Sequence, residues 1–339
     1  MMVRLRNSER GTHKTCPYQW WWGIRQGLKP RQTGKARWFG QGIHLALAHY
    51  YQPGLKRNTD MVDVWRNFAR EEAEVLRTRG AFDEEQWTDA YELGEAMLIH
   101  YMKHWGSDDD WDVIHPEYQF QVRIPFDFDS ISPAMAEILH DWLADNGFDT
   151  EFFELDGTFD GVYRSRRTKR IKLMEHKTAA QIRTEHLTKD DQAGTYGSVA
   201  QTKLHHDGIL NKGENIREIT WNFLRKAKPD DRPQNEDGHY LNKDGSVSRR
   251  QPADYFHREP VERTPRQVRT QLQRLKDEMN VMLGYRSGAL RIIKNPRDHC
   301  SWCPFKEMCE LHEIGADWEQ YRDMLYRVED PYADHRKAA

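Results

Sequence analysis

The chain has 339 residues, of which 37% are hydrophobic and 31% charged, and its mean hydropathy is −0.95. No stretch approaches the roughly 18 consecutive apolar residues of a membrane span, so we expect no membrane association. Lys and Arg number 51 and Asp and Glu 54, which excludes nucleic-acid recognition by bulk positive charge and leaves only local patches. The first six residues lack the apolar stretch of a signal peptide, which predicts a cytoplasmic protein.

An aromatic run follows the one cysteine of the N-terminal segment, Cys16. The three adjacent tryptophans at positions 20–22 could stack on unpaired bases. They could also pack the N-terminal segment against a core. Because adjacent side chains cannot all face one groove, at least two of the three are predicted to be core residues.

Helical periodicity dominates residues 40–105. A helix is predicted to begin at Gly40, because apolar residues recur at helical spacing from there to Tyr50. Two further amphipathic helices are predicted between positions 60 and 105 and are interpreted as a helical insertion. His44 lies in the first helix, where a histidine is usually structural, although neutral imidazole is also a competent Mn²⁺ ligand.

The first strand of a sheet is predicted over residues 113–124, where apolar and polar residues alternate. Glu117 lies near its start and is either a solvent-facing side chain or an acidic residue of a site. A short helix is predicted over residues 132–145, between this strand and the next.

Residues 158–177 predict a β-hairpin, since two β-branched-rich runs are joined by a short basic connection. Successive strand side chains alternate faces, so Glu175 and Lys177 share one face and His176 points to the other. If Asp160 lies across from them, two carboxylates and an ammonium converge. Hard carboxylate oxygens suit Mg²⁺ or Mn²⁺, and a nearby lysine can orient a water molecule.

The connection of the hairpin and its flanks are rich in cations. A patch beside the proposed site could bind the phosphates of DNA. A solvated turn explains the same run equally well. The residues are Arg164, Arg166, Arg167, Lys169, Arg170 and Lys172.

Downstream of the hairpin, an aspartate pair at 190–191 predicts a helix N-terminus. Gln192 and Tyr196 are four residues apart and therefore lie on the same face of that helix. A further strand is predicted over 219–224, followed by a long polar loop over 228–251 that is predicted to be mobile.

Cysteine spacing near the C-terminus predicts a metal site. Cys300, Cys303 and Cys309 follow a C-x₂-C-x₅-C pattern, and Cys16 is the one cysteine left to complete a set of four. Clustered cysteines in an intracellular chain more often bind metal or act in catalysis than form disulfides. Four thiolates suit either iron–sulfur or zinc, and His299 or His312 could join a zinc site.

The order of these motifs resembles one nuclease family. Asp160 followed by Glu175-x-Lys177 resembles the motif of the PD-(D/E)XK nuclease superfamily. The Gly-x-x-x-His pattern ending at His44 and the Gln-x-x-x-Tyr pattern beginning at Gln192 resemble those of RecB-type nucleases and their Cas4 relatives. The Asp-Gly form of the family favours Asp160 over its rival Asp156.

The resemblance implies a role for each matching residue. The catalytic residues would be Asp160, Glu175, Lys177 and Glu117. The ligands of Mg²⁺ or Mn²⁺ would be His44, Asp160, Glu175 and the main-chain carbonyl of His176. Contacts to DNA would come from Gln192 and Tyr196, with Arg164, Arg166 and Arg167 in the adjoining basic patch. As in Cas4-type and AddB-type nucleases, a 4Fe–4S cluster would be held by Cys16, Cys300, Cys303 and Cys309.

The function implied is that of a metal-dependent DNA exonuclease in recombination, repair or end processing, of a kind that fits a phage or prokaryotic system. Single-stranded ends or overhangs of DNA are the expected substrate, with a recombination, helicase or integrase protein as the expected partner. Two other classes stay open. One is a non-catalytic or partner-dependent DNA-binding or processing subunit that works only in a complex. The other is a zinc-stabilised interaction protein whose acidic residues are surface charges.

The resemblance implies an α/β fold of the restriction-endonuclease type, in which a central mixed sheet is flanked by helices and an iron–sulfur lobe joins the two termini. Five segments are predicted: an N-terminal arm (1–39), a helical segment (40–112), a nuclease core (113–227), a mobile loop (228–256) and a C-terminal helix with the cluster lobe (257–339).

Overall fold

A computed structural model describes residues 1–31, 37–54, 57, 60–108 and 110–332, with only the backbone described at position 37. Contacts group the chain into two compact units. The terminal unit comprises Met1–Gly34, Gln119–Gly157 and Pro265–Ala339, and the central unit comprises Lys35–Tyr118 and Thr158–Thr264. Each unit draws on several of the segments predicted from the sequence.

The elements of the described residues are numbered in chain order. The helices are α1 (Asn7–Thr15), α2 (Pro17–Trp20), α3 (Arg37–Tyr50), α4 (Met61–Thr78), α5 (Glu84–Trp105), α6 (Pro133–Asp145), α7 (Asp191–His206), α8 (Pro265–Ser287), α9 (Lys306–Glu313) and α10 (Trp318–Leu325). The strands are β1 (Val3–Arg6), β2 (Leu28–Pro30), β3 (Trp111–His115), β4 (Tyr118–Pro125), β5 (Phe152–Phe159), β6 (Gly161–Ser165), β7 (Ile171–Ala179), β8 (Glu218–Arg225), β9 (Phe256–Glu262) and β10 (Tyr326–Val328). None of these helices is long and apolar enough to cross a membrane.

The central unit contains a five-stranded mixed sheet with the strand order β3-β6-β7-β8-β9. Strand β7 pairs antiparallel with β6, as the predicted hairpin requires, and parallel with β8. Parallel neighbours need a long crossover connection, and α7 lies in the one that joins β7 to β8. The strand with the Glu-x-Lys motif is therefore an inner strand with two further strands on either side.

Helices α3, α4 and α5 pack together around Trp65, whose side chain is fully buried. The indole of Trp65 stacks on Trp38 at 5.7 Å between ring centroids and donates to the carbonyl of Tyr91 at 3.0 Å. Glycines allow this close approach: a Cβ atom at Gly94 would lie 2.3 Å from the Trp65 ring. The helix that carries His44 is therefore packed tightly. The predicted helices are confirmed, although α3 begins at Arg37 and not at Gly40.

Two predicted strands were wrong in the same way, since each is divided between two sheets. The strand predicted over 113–124 is β3 followed by β4, with a bend at Pro116 and Glu117. Proline has no N–H for the strand ladder, which ends β3 there. The first strand of the predicted hairpin is likewise interrupted at Asp160, between β5 and β6. Alternation of apolar residues shows which face is buried but not which sheet a strand joins.

In the terminal unit, β1 pairs parallel with β5 in a sheet of order β1-β5-β4. Trp20 and Trp22 are 0% and 3% exposed, which confirms that at least two of the adjacent tryptophans are core residues. The indole N–H of Trp20 donates to the carboxylate of Glu9 at 2.9 Å. A second pair of strands, β2 and β10, runs antiparallel.

The segment 228–251, predicted to be a mobile polar loop, contains hydrogen-bonded turns. Isolated bridges pair Gln234 with Tyr240 and Leu241 with Val247. Each turn has a glycine at positive φ, Gly238 at 80° and Gly245 at 83°. These are the left-handed positions that glycine adopts without steric cost, and they could have indicated two tight turns from the sequence.

Candidate active site

Two elements of the central unit bring His44 and Asp160 together. His44 projects from α3, and Asp160 occupies the break between β5 and β6. The Nδ1 atom of His44 lies 3.5 Å from Oδ1 of Asp160. The other carboxylate oxygen of Asp160 accepts a hydrogen bond from the main-chain N–H of His176 at 2.8 Å. Both oxygens of Asp160 therefore have defined neighbours, and the orientation of the carboxylate is set.

Glu175 and Lys177 lie on β7 with the alternation that the sequence predicts. Glu175 is 4% exposed, whereas Lys177 is exposed. Trp221 is the cross-strand partner of Glu175, and its ring centroid is 5.8 Å from Nζ of Lys177. A buried carboxylate and an accessible ammonium thus stand beside the same tryptophan on one face of the sheet.

Helix α7 contributes Gln192 and Tyr196. The helix is capped by Asp190, whose side chain accepts from the N–H of Ala193 at 2.9 Å. The amide of Gln192 donates to the carboxylate of Glu175. Tyr196 is only 8% exposed and meets the ring of Phe159 edge-on at 5.4 Å. Burial of Tyr196 favours support of the site over direct contact with a DNA strand.

The two carboxylates differ in their electrostatics. Burial raises the pKa of Asp160, but the charge and hydrogen bond of His44 oppose it, and the net pKa lies below its usual value. Burial followed by the charge of Asp160 raises the pKa of Glu175 well above its usual value. Burial lowers the pKa of His44, but Asp160 reverses this and the net pKa is raised. His44 therefore offsets the negative charge of Asp160, whereas Lys177 offsets the charge of Glu175 only in part.

His176 faces away from this pair, as alternation predicts, and is 2% exposed. Its Nδ1 atom accepts from the amide of Asn222 at 2.8 Å. Burial lowers the pKa of His176 to about 3. Its side chain is a neutral core residue that meets the ring of His44 edge-on, and its main-chain N–H bonds to Asp160.

Glu117 lies in the bend after β3 and is exposed to solvent. Partial desolvation raises its pKa first, and the charge of Asp160 raises it further, while His44 lowers it. Because Asp160 and His44 both act on its charge, Glu117 belongs to the same neighbourhood as these two residues.

Across the stretches of chain that are described, no group of three or more His, Cys, Asp or Glu side chains is arranged to hold a metal ion. The preformed part of the site is the pair of His44 and Asp160, with Glu175 held by Gln192. Imidazole nitrogen and carboxylate oxygen are nevertheless ligands that fit Mn²⁺ or Mg²⁺. A bound cation would offset the charges of the buried Glu175 and the partly buried Asp160.

Two arginines of the basic connection take part in ion pairs within the central unit. Arg164 pairs with Glu214, and Nε of Arg166 lies 2.7 Å from the carboxylate of Asp112. Contact of Arg164, Arg166 and Arg167 with DNA stays a prediction.

All four cysteines belong to the terminal unit and are free thiols. Cys16 precedes α2, Cys300 lies in a short 3-10 helix (Asp298–Trp302) that Cys303 directly follows, and Cys309 lies on α9. Burial raises the pKa of Cys303 first, and the charges of the other three cysteines raise it further. The four thiols are therefore close enough for their charges to interact, with Cys303 and Cys309 packed beside an aromatic cluster around Trp22 and Phe305.

Sequence reasoning missed a buried polar network next to the site. Asn222 and Arg258 lie on β8 and β9, in the row of residues that begins at His176. A polar asparagine inside the apolar run 219–224 was a signal that could have identified this network, because buried polar side chains require partners.

Asp160 lies directly before β6, and Glu175 and Lys177 lie on the neighbouring strand β7. The sequence profile of the PD-(D/E)XK nuclease superfamily matches residues 8–310, so the chain belongs to this superfamily. No curated protein matches the sequence.

Among solved structures, similarity is found to a candidate exonuclease from Eubacterium rectale, with 11% identity, a TM-score of 0.33 and 80% of each chain covered. The protein SSO0001 is similar at 7% identity and a TM-score of 0.28, with 81% of this chain and 98% of that chain covered. Both scores are too low to show a shared fold, so membership of the superfamily depends on the sequence profile.

Proposed function

We propose that the protein is a divalent-metal-dependent DNA exonuclease of the Cas4/RecB type. The main support is the convergence of His44, Asp160 and the β7 peptide in a member of a nuclease superfamily. Glu175 and Lys177 extend this site in the order that nuclease chemistry needs, with a buried carboxylate next to an accessible ammonium. The substrate proposed is DNA with single-stranded ends or overhangs, processed during recombination or repair.

His44, Asp160, Glu175 and the main-chain carbonyl of His176 would hold Mg²⁺ or Mn²⁺. When bound, the ion would polarise the scissile phosphate, lower the pKa of a water molecule and stabilise the leaving oxygen. Lys177 would orient the attacking water, because its ammonium is exposed while Glu175 beside it is buried. Gln192 would keep the Glu175 carboxylate in place through their hydrogen bond, and Glu117 would add negative charge near Asp160.

The test is digestion of DNA labelled at the 5′ or the 3′ end, single- and double-stranded, with Mg²⁺ or Mn²⁺. Asp160→Asn keeps the size of the side chain but removes its charge, and we expect cleavage to fall by at least about 100-fold with the fold retained. The end from which the label is released gives the polarity of digestion. Cleavage at the wild-type rate in Asp160→Asn would refute the proposal, and DNA binding without products from cluster-loaded protein would favour the partner-dependent subunit.

We further propose that Cys16, Cys300, Cys303 and Cys309 hold a 4Fe–4S cluster with a structural role. Support comes from Cys303, on whose thiol the charges of the other three cysteines act, and four thiolates fit such a cluster. Metal–thiolate bonds would link the N-terminal segment to the C-terminal helices and contribute to folding. Cys16→Ala is expected to lower both the iron content and the melting temperature of anaerobically purified protein. Zinc in place of iron would contradict the cluster and support the interaction protein.

A further inference from the structure

Three buried polar side chains form a row across the central sheet. In the ladder, His176 on β7 is the direct partner of Asn222 on β8, and Asn222 is the direct partner of Arg258 on β9. His176 and Asn222 are 2% and 0% exposed, and the side chain of Arg258 is 9% exposed. Direct cross-strand partners project to the same face of a sheet, so the three side chains are neighbours there.

The hydrogen bonds of this row have fixed directions. Arginine can only donate, so the amide oxygen of Asn222 faces Nε of Arg258, at 3.4 Å. The amide nitrogen of Asn222 then faces the other way and donates to Nδ1 of His176 at 2.8 Å and to the hydroxyl of Tyr101 at 2.9 Å. Nδ1 of His176 must therefore be an acceptor, which places the proton of the neutral ring on Nε2.

Arg258 is itself anchored on three sides. Its guanidinium forms two hydrogen bonds with Asp108, at 2.8 Å and 2.6 Å, and donates to the hydroxyl of Tyr51 at 2.8 Å. The guanidinium carbon also lies 3.8 Å from the centroid of the Trp105 ring. An arginine bound in this way has little rotamer freedom, so it can fix the amide of Asn222.

The row ends at the proposed nuclease site. The ring of His176 is stacked on Tyr51 at 5.9 Å and meets the ring of His44 edge-on at 6.0 Å. The main-chain N–H of His176 donates to Asp160. The ring of His176, held on one face of β7, limits where the ring of His44 can lie, and the main-chain N–H of the same residue orients Asp160.

Stability alone does not account for this row. Taking an arginine and an aspartate out of water costs several kcal/mol for each ion, and well-packed apolar side chains of similar volume are often as stable or more so. What polar groups add is direction, since hydrogen bonds fix angles that apolar contacts leave free.

We propose that Asn222 and Arg258 are positioning residues of the nuclease site, which act through His176 to orient Asp160 and His44 for metal binding. This inference rests on the proposed function. Its direct consequence is that the affinity for Mn²⁺ depends on side chains that touch neither the metal nor the DNA.

The test is titration of the full-length protein with Mn²⁺, read by the loss of the free-ion signal in electron paramagnetic resonance. Asn222→Asp keeps the acceptor for Arg258 but loses the N–H that His176 needs, so the ring must rotate or change its tautomer. Loss of such an outer partner is expected to weaken Mn²⁺ binding about 10- to 100-fold. Tyr50→Phe is the matched control, because the Tyr50 hydroxyl donates to the carbonyl of Gly106 at 3.0 Å and has no bond to the row.

The inference predicts weaker Mn²⁺ binding in Asn222→Asp and unchanged binding in Tyr50→Phe. Equal affinity of folded Asn222→Asp and wild type overturns it, since a purely structural role would lower only the melting temperature. If Asn222→Asp does not fold, Tyr101→Phe takes its place, because it removes the second acceptor of the Asn222 amide. Mn²⁺ binding is expected to weaken in this variant too. Wild-type affinity for Mn²⁺ in Tyr101→Phe would then overturn the inference. If the wild type binds no Mn²⁺ at all, both the proposed function and the inference are refuted. If the wild type binds Mn²⁺ and the variant binds it equally well, only the inference is refuted.

Discussion

Replacement of Asp108 by asparagine isolates the charge of the buried pair with Arg258. Asp108 has a positive φ of 48°, a conformation that asparagine tolerates as well as aspartate, so the backbone is not perturbed. The two side chains are 6% and 9% exposed, and removal of one charge leaves the other buried without its partner. Breaking such a pair costs about 3–5 kcal/mol. We expect the lower end, about 3 kcal/mol, because the rings of Trp105 and Trp111 still contact the guanidinium.

Native-state hydrogen exchange followed by mass spectrometry is the suitable assay, because it reads the opening of β8 and β9 separately from the terminal unit. A loss of about 3 kcal/mol should speed exchange in these strands about 100-fold. Asp63→Asn is the control, since Asp63 pairs with Arg66 on the exposed surface of α4 and its loss should change exchange by no more than about twofold. Unchanged protection of β8 and β9 in Asp108→Asn would refute the role assigned to this pair.

The same pair predicts a dependence on pH. Burial raises the pKa of Asp108, but hydrogen bonds and the charge of Arg258 outweigh it, so the net pKa in the folded state is lowered. The stabilisation is therefore fully present above the unfolded-state pKa of about 3.9 and is lost as the pH falls through the lower folded-state pKa. The difference in protection between wild type and Asp108→Asn should be constant near neutral pH and shrink in acid, and a difference that grew in acid would contradict this sign.

Two further changes test the packing and the loop. In thermal melts, Gly94→Ala should destabilise the central unit by about 1–2 kcal/mol, because a Cβ atom 2.3 Å from Trp65 overpacks the core. This cost exceeds the stability gained from the higher helix propensity of alanine. Gly11→Ala in α1 is the control, since there is open space around Gly11 and the change should be neutral or stabilising. Arg232→Ala removes hydrogen bonds to Asp230 and to Ser248, the latter at 2.8 Å. Hydrogen exchange should become faster within residues 230–251 alone. Unchanged exchange in this segment would show that its turns are stable without Arg232.

Local patterns were sufficient for much of the fold. Helices α4 and α5 follow from apolar periodicity, and the cap of α7 follows from the aspartate pair before Gln192. The Glu-x-Lys spacing placed Glu175 and Lys177 on one face of β7, as found. Each of these is a property of neighbouring residues, which is why a single sequence could supply it.

What the sequence could not supply depends on long-range pairing. The change of sheet at Asp160 and the pairing of His176 with Asn222 and then Arg258 are choices between strands far apart in the chain. Alternation gives the buried face of a strand but is the same for every partner that the strand could have. The tight turns at Gly238 and Gly245 were missed for a different reason, because their Asp-Gly sequences carried a local signal that was not used.

Cleavage by a matched pair of lysine variants shows whether hydrolysis takes place at the site beside β7. Lys177 is the exposed ammonium beside Glu175, whereas Lys228 is an exposed lysine that pairs with Glu92 at 2.7 Å outside the site. With end-labelled single-stranded DNA and Mn²⁺, Lys177→Ala should lose nearly all cleavage, and Lys228→Ala should cleave at the wild-type rate. Metal-dependent cleavage that survives in Lys177→Ala at the rate of Lys228→Ala would contradict the assignment of this site.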